Sequence, residues 1–176
     1  SQFSGWNMLM KNISSQHGVG LVEVLVALLI LSVGVLGFVA LQYRALEATA
    51  ESGSRVQAIA IARDLSEKIR ANRNVFNNYR TEIQTPTNQK TFAVDCRTTN
   101  CTEKNLADYD VAQVTQRAAT LGMSMNIMAC PETTSSLQCI YVAWGDTSAT
   151  NSNGEWDCTN GAAYNPNSTC IIMEAY

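Results

Sequence analysis

The sequence contains one histidine, His17, and it lies before the longest apolar run. A Ser-His-Asp or Cys-His site cannot be assembled from the residues beyond that run, which removes the commonest routes to hydrolysis and acyl transfer. Basic residues end at Arg117, while Glu132, Asp146, Glu155, Asp157 and Glu174 follow it. A final third carrying only negative charge repels phosphate backbones, so no nucleic-acid partner is expected there. The net charge of −3 hides this asymmetry, because the basic residues gather between Arg44 and Arg80.

Residues 1–18 lack the apolar core and small-residue cleavage box of a secretory signal. Cysteine is absent before position 96. No C-x2-C pair occurs, the tightest spacing being Cys96-x4-Cys101, and no histidine follows His17, so a zinc site is not expected. Calcium fares no better. Asn151, Asn153, Glu155 and Asp157 alternate as ligands can, but Trp156 stands where an EF-hand loop needs glycine. These absences leave little room for histidine-dependent catalysis or a metal site, and no cofactor is expected.

What is present begins with Val24–Leu41, apolar throughout except for Ser32 and two glycines. As a helix it covers about 27 Å, the minimum for crossing a bilayer. Glu23 lies at its edge behind Leu21 and Val22, where a lone carboxylate is costly and requires a partner. No proline interrupts Gln42 to Arg73, and Ile59, Ala62, Leu65, Ile69 and Phe76 recur at helical spacing. One helix from Leu21 to Asn72, about 78 Å long at 1.5 Å per residue, is expected. Arg44, Glu47, Glu51, Arg55, Arg63, Asp64, Glu67, Lys68 and Arg70 form its solvated face. The Ser52-Gly-Ser54 triplet is a soft spot within it.

Beyond this helix, residues 72–90 read as a connecting loop and Thr91–Asp95 as a short strand. Thr102 can cap a second helix, whose stripe of Ala107, Val111, Val114, Ala118 and Leu121 is suited to packing on a sheet. Met123–Ala129, Ile140–Trp144 and Cys170–Met173 read as strands, and Asp146–Thr169 as a polar loop with no periodic pattern. The fold class is α+β: a long N-terminal helix packed on a small antiparallel sheet head.

Six cysteines, all after the apolar run, indicate an oxidising compartment. Their arrangement in short-range couples favours Cys96 with Cys101, Cys130 with Cys139 and Cys158 with Cys170, other pairings staying open. Tyr141 and Trp144 are assigned to the core. Trp156 and Tyr164, in the polar loop, are the better candidates for an interface.

Gly18, then Val19-Gly-Leu-Val, Glu23 and an apolar helix together resemble the class III signal of type IV prepilins. The resemblance implies that an inner-membrane prepilin peptidase cuts between Gly18 and Val19 and that Val19 is N-methylated. It implies that Glu23 pairs with the cationic amine of a neighbouring subunit as helices stack. The domain plan it suggests is a leader over 1–18, a transmembrane and assembly helix over 19–41, its amphipathic continuation over 42–74 and a disulfide-stabilised head over 75–176.

Glu103-Lys-Asn-Leu-Ala-Asp108 after a cysteine pair, and Tyr141-Val-Ala-Trp-Gly-Asp146, are similar in pattern to the PilV-like minor pilins. That likeness implies a role in pilus assembly within a priming and tip complex. The partners would be other minor and major pilins and a tip adhesin, with the head periplasmic before assembly and at the pilus tip after it. Two other readings stay open: a tip subunit that itself binds a surface ligand through residues 146–169, and a type II secretion pseudopilin.

Overall fold

The computed structural model describes Gly18, residues 20–131, Thr134, residues 136–161 and residues 163–175. By contact density the protein divides into two compact units, residues 1–47 and 48–176.

In the first unit the Gly20 carbonyl accepts from the Glu23 and Val24 amides at 2.9 and 3.2 Å, which opens helix α1, Leu21–Ala71. Glu23 occupies its first turn, where a carboxylate complements the positive end of the helix dipole. Within the apolar run Ser32 donates its hydroxyl to the Leu29 carbonyl at 2.7 Å, so its polar group is satisfied inside the helix.

The second unit begins with the rest of α1. There Ala58, Ile61, Ala62, Leu65 and Ile69 are buried, at the three- and four-residue spacing of one helix face. The helix passes through Gly53 without a break and ends at Ala71. A 3₁₀ turn, Arg73–Val75, then leads into α2, Phe76–Gln84. This corrects the loop expected over 72–90 as far as Gln84, while residues 85–90 are loop and turn as expected. Asn77 and Asn78 look like turn formers, but Tyr79 and Ile83, four apart and fully buried, dock one face of α2 on the core.

The strand expected at Thr91–Asp95 is also absent. Its backbone has no strand to pair with, and the Ala93 amide donates instead to the Asp108 carboxylate at 2.8 Å. Helix α3, Glu103–Thr120, is capped by the Thr102 hydroxyl, which accepts from the Asn105 amide at 3.2 Å. Its buried stripe includes Ala107, Val111, Val114 and Ala118, while Leu121, past the helix end, is exposed.

Strands β1 (Met123–Ala129), β2 (Gln138–Trp144) and β5 (Cys170–Glu174) form an antiparallel sheet in the order β1-β2-β5. β2 is central and its two faces divide the head. Ile140, Val142 and Trp144 join the core made with α1, α2 and α3. Cys139, Tyr141 and Ala143 face a smaller cluster with Ala149, Cys158 and Cys170. The polar segment between β2 and β5 is not patternless. It contains β3 (Ser148–Asn151) and β4 (Asp157–Thr159), paired in parallel.

Three disulfides join Cys96 to Cys101, Cys130 to Cys139 and Cys158 to Cys170, leaving no free cysteine. The protein is α+β, a long helix with an apolar N-terminal half together with a small sheet head.

Candidate functional site

Two surfaces carry the residues singled out by the sequence. The first is the start of α1. Gly18 is exposed, whereas Val19 lies outside the described residues, as do residues 1–17 of the expected leader. Every apolar residue of α1 from Leu21 to Leu41 is exposed, and no described residue of its own unit covers it. By length and composition this helix can cross a membrane. A surface so uniformly apolar needs lipid or other helices around it.

Glu23 sits on that surface, and its carboxylate makes no hydrogen bond or ion pair among the described residues. In water this is inexpensive. In lipid or between helices an unpaired carboxylate is strongly unfavourable, so whatever covers the apolar surface must bring a positive charge or hydrogen-bond donors to this position.

The second surface belongs to the head. Trp156 is 50% exposed and Tyr164 51%, whereas Trp144 is only 7% exposed. These two exposed aromatics thus fall in the loops around β4, while Tyr141 and Trp144 are core residues. Trp144 donates its indole N–H to Glu51 Oε2 at 3.1 Å, and the Arg55 guanidinium lies 6.0 Å from its ring, so β2 is tied to the polar face of α1.

Asp157 organises the loop that carries Trp156. Its carboxylate accepts from the hydroxyls of Thr150 and Ser152 and from the Gly154 amide at 2.8 Å. The Ser152 and Thr150 hydroxyls hold the carboxyl below its ordinary value. A Cβ on Gly154 would come within 2.6 Å of Asp157 Oδ2, so a side chain there would displace the carboxylate from its present position. Because both oxygens are engaged by donors, the alternating Asn/Asp pattern does not converge on a cation. Among the described residues no group of three His, Cys, Asp or Glu side chains is placed to hold one.

Beyond β4 the Asn165 amide group donates to the Asp157 carbonyl at 2.7 Å, and Tyr164 Oη accepts from the Ile172 amide at 3.0 Å. Tyr164 therefore occupies a donor on β5 and lines a small cleft of about 240 Å³ with Pro131, Thr159, Ala163 and Ile172.

One polar group went unread in the sequence. Asp110, buried in α3, accepts from Lys68 Nζ at 3.1 Å and from the Tyr79 hydroxyl at 2.7 Å. Asn72 donates to the Glu103 carbonyl at 2.8 Å and to the Tyr79 hydroxyl at 3.4 Å. Burial, then the hydrogen bond to Asp110, push the Tyr79 phenol well above its ordinary range. Lys68 is therefore a tether between α1 and α3 and not merely part of a solvated face, and Asp64 likewise reaches Arg117 on α3 at 2.6 Å. The signal was available: Asp110 directly precedes Val111 in the apolar stripe of α3, where a carboxylate asks for a partner.

Comparison with known proteins adds two matches. Residues 40–112 match the Tt1218-like family, described as type IV pilin Tt1218, and residues 13–39 match the prokaryotic N-terminal methylation motif. The first covers the later part of α1, α2 and half of α3; the second covers Gly18, Glu23 and most of the apolar run. No curated protein and no solved structure matches the sequence.

Proposed function

We propose that this protein, a pilus-related type IV pilin carrying the N-terminal methylation motif, is a minor pilin of the PilV-like kind that takes part in a priming complex for pilus assembly. The observation that carries the proposal is Glu23, without a partner among the described residues, at the start of the exposed apolar run of α1 and shortly after Gly18. Cleavage after Gly18 creates an amine at Val19, in the same N-terminal segment as the carboxylate. In a stack of staggered helices, the amine of one subunit supplies the charge that Glu23 of another lacks. A pairing of this kind sets register even where its net contribution to stability is small.

The domain plan follows: a leader over 1–18, an assembly helix over 19–41, its amphipathic continuation over 42–74 and a head over 75–176. Prepilin peptidase processes the protein at the inner membrane, other pilins pack against the helix, and the head contacts the remaining minor pilins and a tip adhesin. The pilin relationship supports a structural role and not an enzymatic one.

The test is a deletion strain in which surface pili are counted and type II secretion is assayed. Loss of pili with normal secretion is expected. Normal pili with failed secretion would identify the protein as a pseudopilin. The N-terminus of the membrane species should be methylated Val19, and recovery of only uncut protein from cells with active prepilin peptidase would overturn the proposal. A second reading, direct binding of a surface ligand at the tip, draws on the exposure of Trp156 and Tyr164. It requires that Trp156→Ala with Tyr164→Ala abolish adhesion while pilus number stays normal.

A further inference from the structure

The loops around β4 contain two Asn-Gly sequences, Asn153-Gly154 and Asn160-Gly161, and all four residues are exposed. Asn-Gly is the dipeptide most prone to intramolecular deamidation, because glycine offers no side chain to hinder attack by its own nitrogen. The two sites differ in how that nitrogen is held. The Gly154 N–H donates to Asp157 Oδ2 at 2.8 Å, whereas the Gly161 N–H has no acceptor among the described residues.

We propose that Asn160 is a site of spontaneous deamidation and that Asn153, its sequence twin, is protected by Asp157. The reaction needs only water. The Gly161 nitrogen loses its proton to solvent and attacks Asn160 Cγ, forming the N–C bond of a five-membered succinimide. The Cγ–Nδ2 bond of Asn160 breaks and its nitrogen leaves as ammonia. Water then adds to one of the two ring carbonyls and opens the ring, to aspartate or to isoaspartate. Nothing is oxidised or reduced, and the protein gains one negative charge.

At Asn160 the electrophile is already polarised. Asn160 Oδ1 accepts from the Ala163 amide at 3.3 Å, which places a donor beside the oxygen that becomes negative in the tetrahedral intermediate. Gly161, with φ +97°, belongs to a turn that residues with side chains rarely adopt.

At Asn153 the same chemistry is opposed. Before the Gly154 nitrogen can attack, its bond to an anionic acceptor must break, and the nitrogen anion that forms would face the Asp157 carboxylate across a hydrogen-bond distance. Ser152 and Thr150, on the same carboxylate, keep it ionised and in place.

The product alters the surface that carries the exposed aromatics. Isoaspartate at 160 lengthens the backbone inside the turn where the Asn160 amide donates to the Ala163 carbonyl at 3.2 Å, next to the Thr159–Tyr164 bridge. Aged and fresh heads would then present Tyr164 differently.

The experiment uses the full-length protein, purified in detergent with its disulfides intact and aged in neutral buffer. Peptide mapping by mass spectrometry and isoaspartyl labelling then follow residues 153 and 160 separately. Conversion at Asn160 is expected to run at least about tenfold faster than at Asn153, the factor equivalent to one net hydrogen bond to a charged acceptor. Asp157→Ala should bring the Asn153 rate up toward that of Asn160, and Asn160→Gln should remove the fast phase. Amide exchange in the unaltered protein gives a second readout, independent of any variant: Gly154 should exchange more slowly than Gly161. Equal conversion of the two asparagines in the unaltered protein, no conversion of either, or equal exchange of the two glycine amides would overturn the proposal.

Discussion

Replacing Tyr79 by phenylalanine removes one oxygen from the interior and should be the most damaging single-atom change in the head. Tyr79 is fully buried, and its hydroxyl donates to Asp110 Oδ2 at 2.7 Å. Without it, Asp110, whose side chain is only 8% exposed, keeps Lys68 on one oxygen and loses the donor to the other. A hydrogen bond to a charged group contributes about 1.5–3 kcal/mol. Asn72 loses an acceptor at 3.4 Å but keeps the Glu103 carbonyl at 2.8 Å, which adds little. The expected loss is about 2 kcal/mol, or roughly 4–8 °C in Tm for a protein of this size. Lys68→Met removes the other partner, but the lysine side chain is 31% exposed and solvent can reach the site, so its cost should be about 1 kcal/mol or less. Thermal and urea unfolding of the full-length protein in detergent, followed by near-ultraviolet circular dichroism, measures both. If Tyr79→Phe changes stability by less than about 0.5 kcal/mol, or if Lys68→Met costs more than Tyr79→Phe, the assigned order of the two bonds to Asp110 is wrong.

Two further outcomes follow from the polar loop. Removing the Cys158–Cys170 disulfide by paired serine substitution opens a loop of sequence separation 12, which should cost about 3 kcal/mol if the loss of chain entropy in the unfolded state dominates; urea midpoints compared with those for the Cys96–Cys101 pair, of separation 5, should show the larger effect at Cys158–Cys170. Asp157 has its folded carboxyl held below the ordinary value of 3.8, so its contribution is fully present above that pH and is lost as pH falls through the depressed value. Fluorescence of the neighbouring Trp156 should report the change on acidification, and Asp157→Asn should flatten it; an unchanged acid limb in that variant would refute the linkage.

The elements that were legible in the sequence are those whose burial is periodic. α1 and α3 display apolar stripes, and β1, β2 and β5 are dense in Ile, Val and Met, so burial and local preference agree. The elements that were missed depend on distant partners. α2 has two fully buried anchors, Tyr79 and Ile83, set among asparagine and threonine. β3 and β4 are made largely of Ser, Thr, Asn and Asp, and they exist because Asp157 gathers donors from three residues while Cys158 is bonded to Cys170. No window of local sequence contains all of those partners. The expected strand at Thr91–Asp95 failed in the opposite sense: its composition suited a strand, but no edge was available to pair with it.

Asp110 and Glu23 pose the same physical problem and receive different answers. Each is a carboxylate placed on an apolar helix stripe, and each is costly in a dry environment unless charge or donors are brought to it. For Asp110 the fold supplies both within one chain, from Lys68 on α1 and Tyr79 on α2, and in doing so ties three helices together. For Glu23 the described residues supply nothing, although the surface around it is the most apolar of the molecule. In water a carboxylate in the first helical turn gains from the helix dipole, whereas in lipid an apolar residue would serve better. Under the proposed function the missing donor arrives with another subunit, as the amine that cutting after Gly18 would give every copy of this protein. On the proposed cleavage after Gly18, the carboxylate would disfavour burial of an uncut or unpaired helix and so act as a checkpoint on assembly as well as a contact within it.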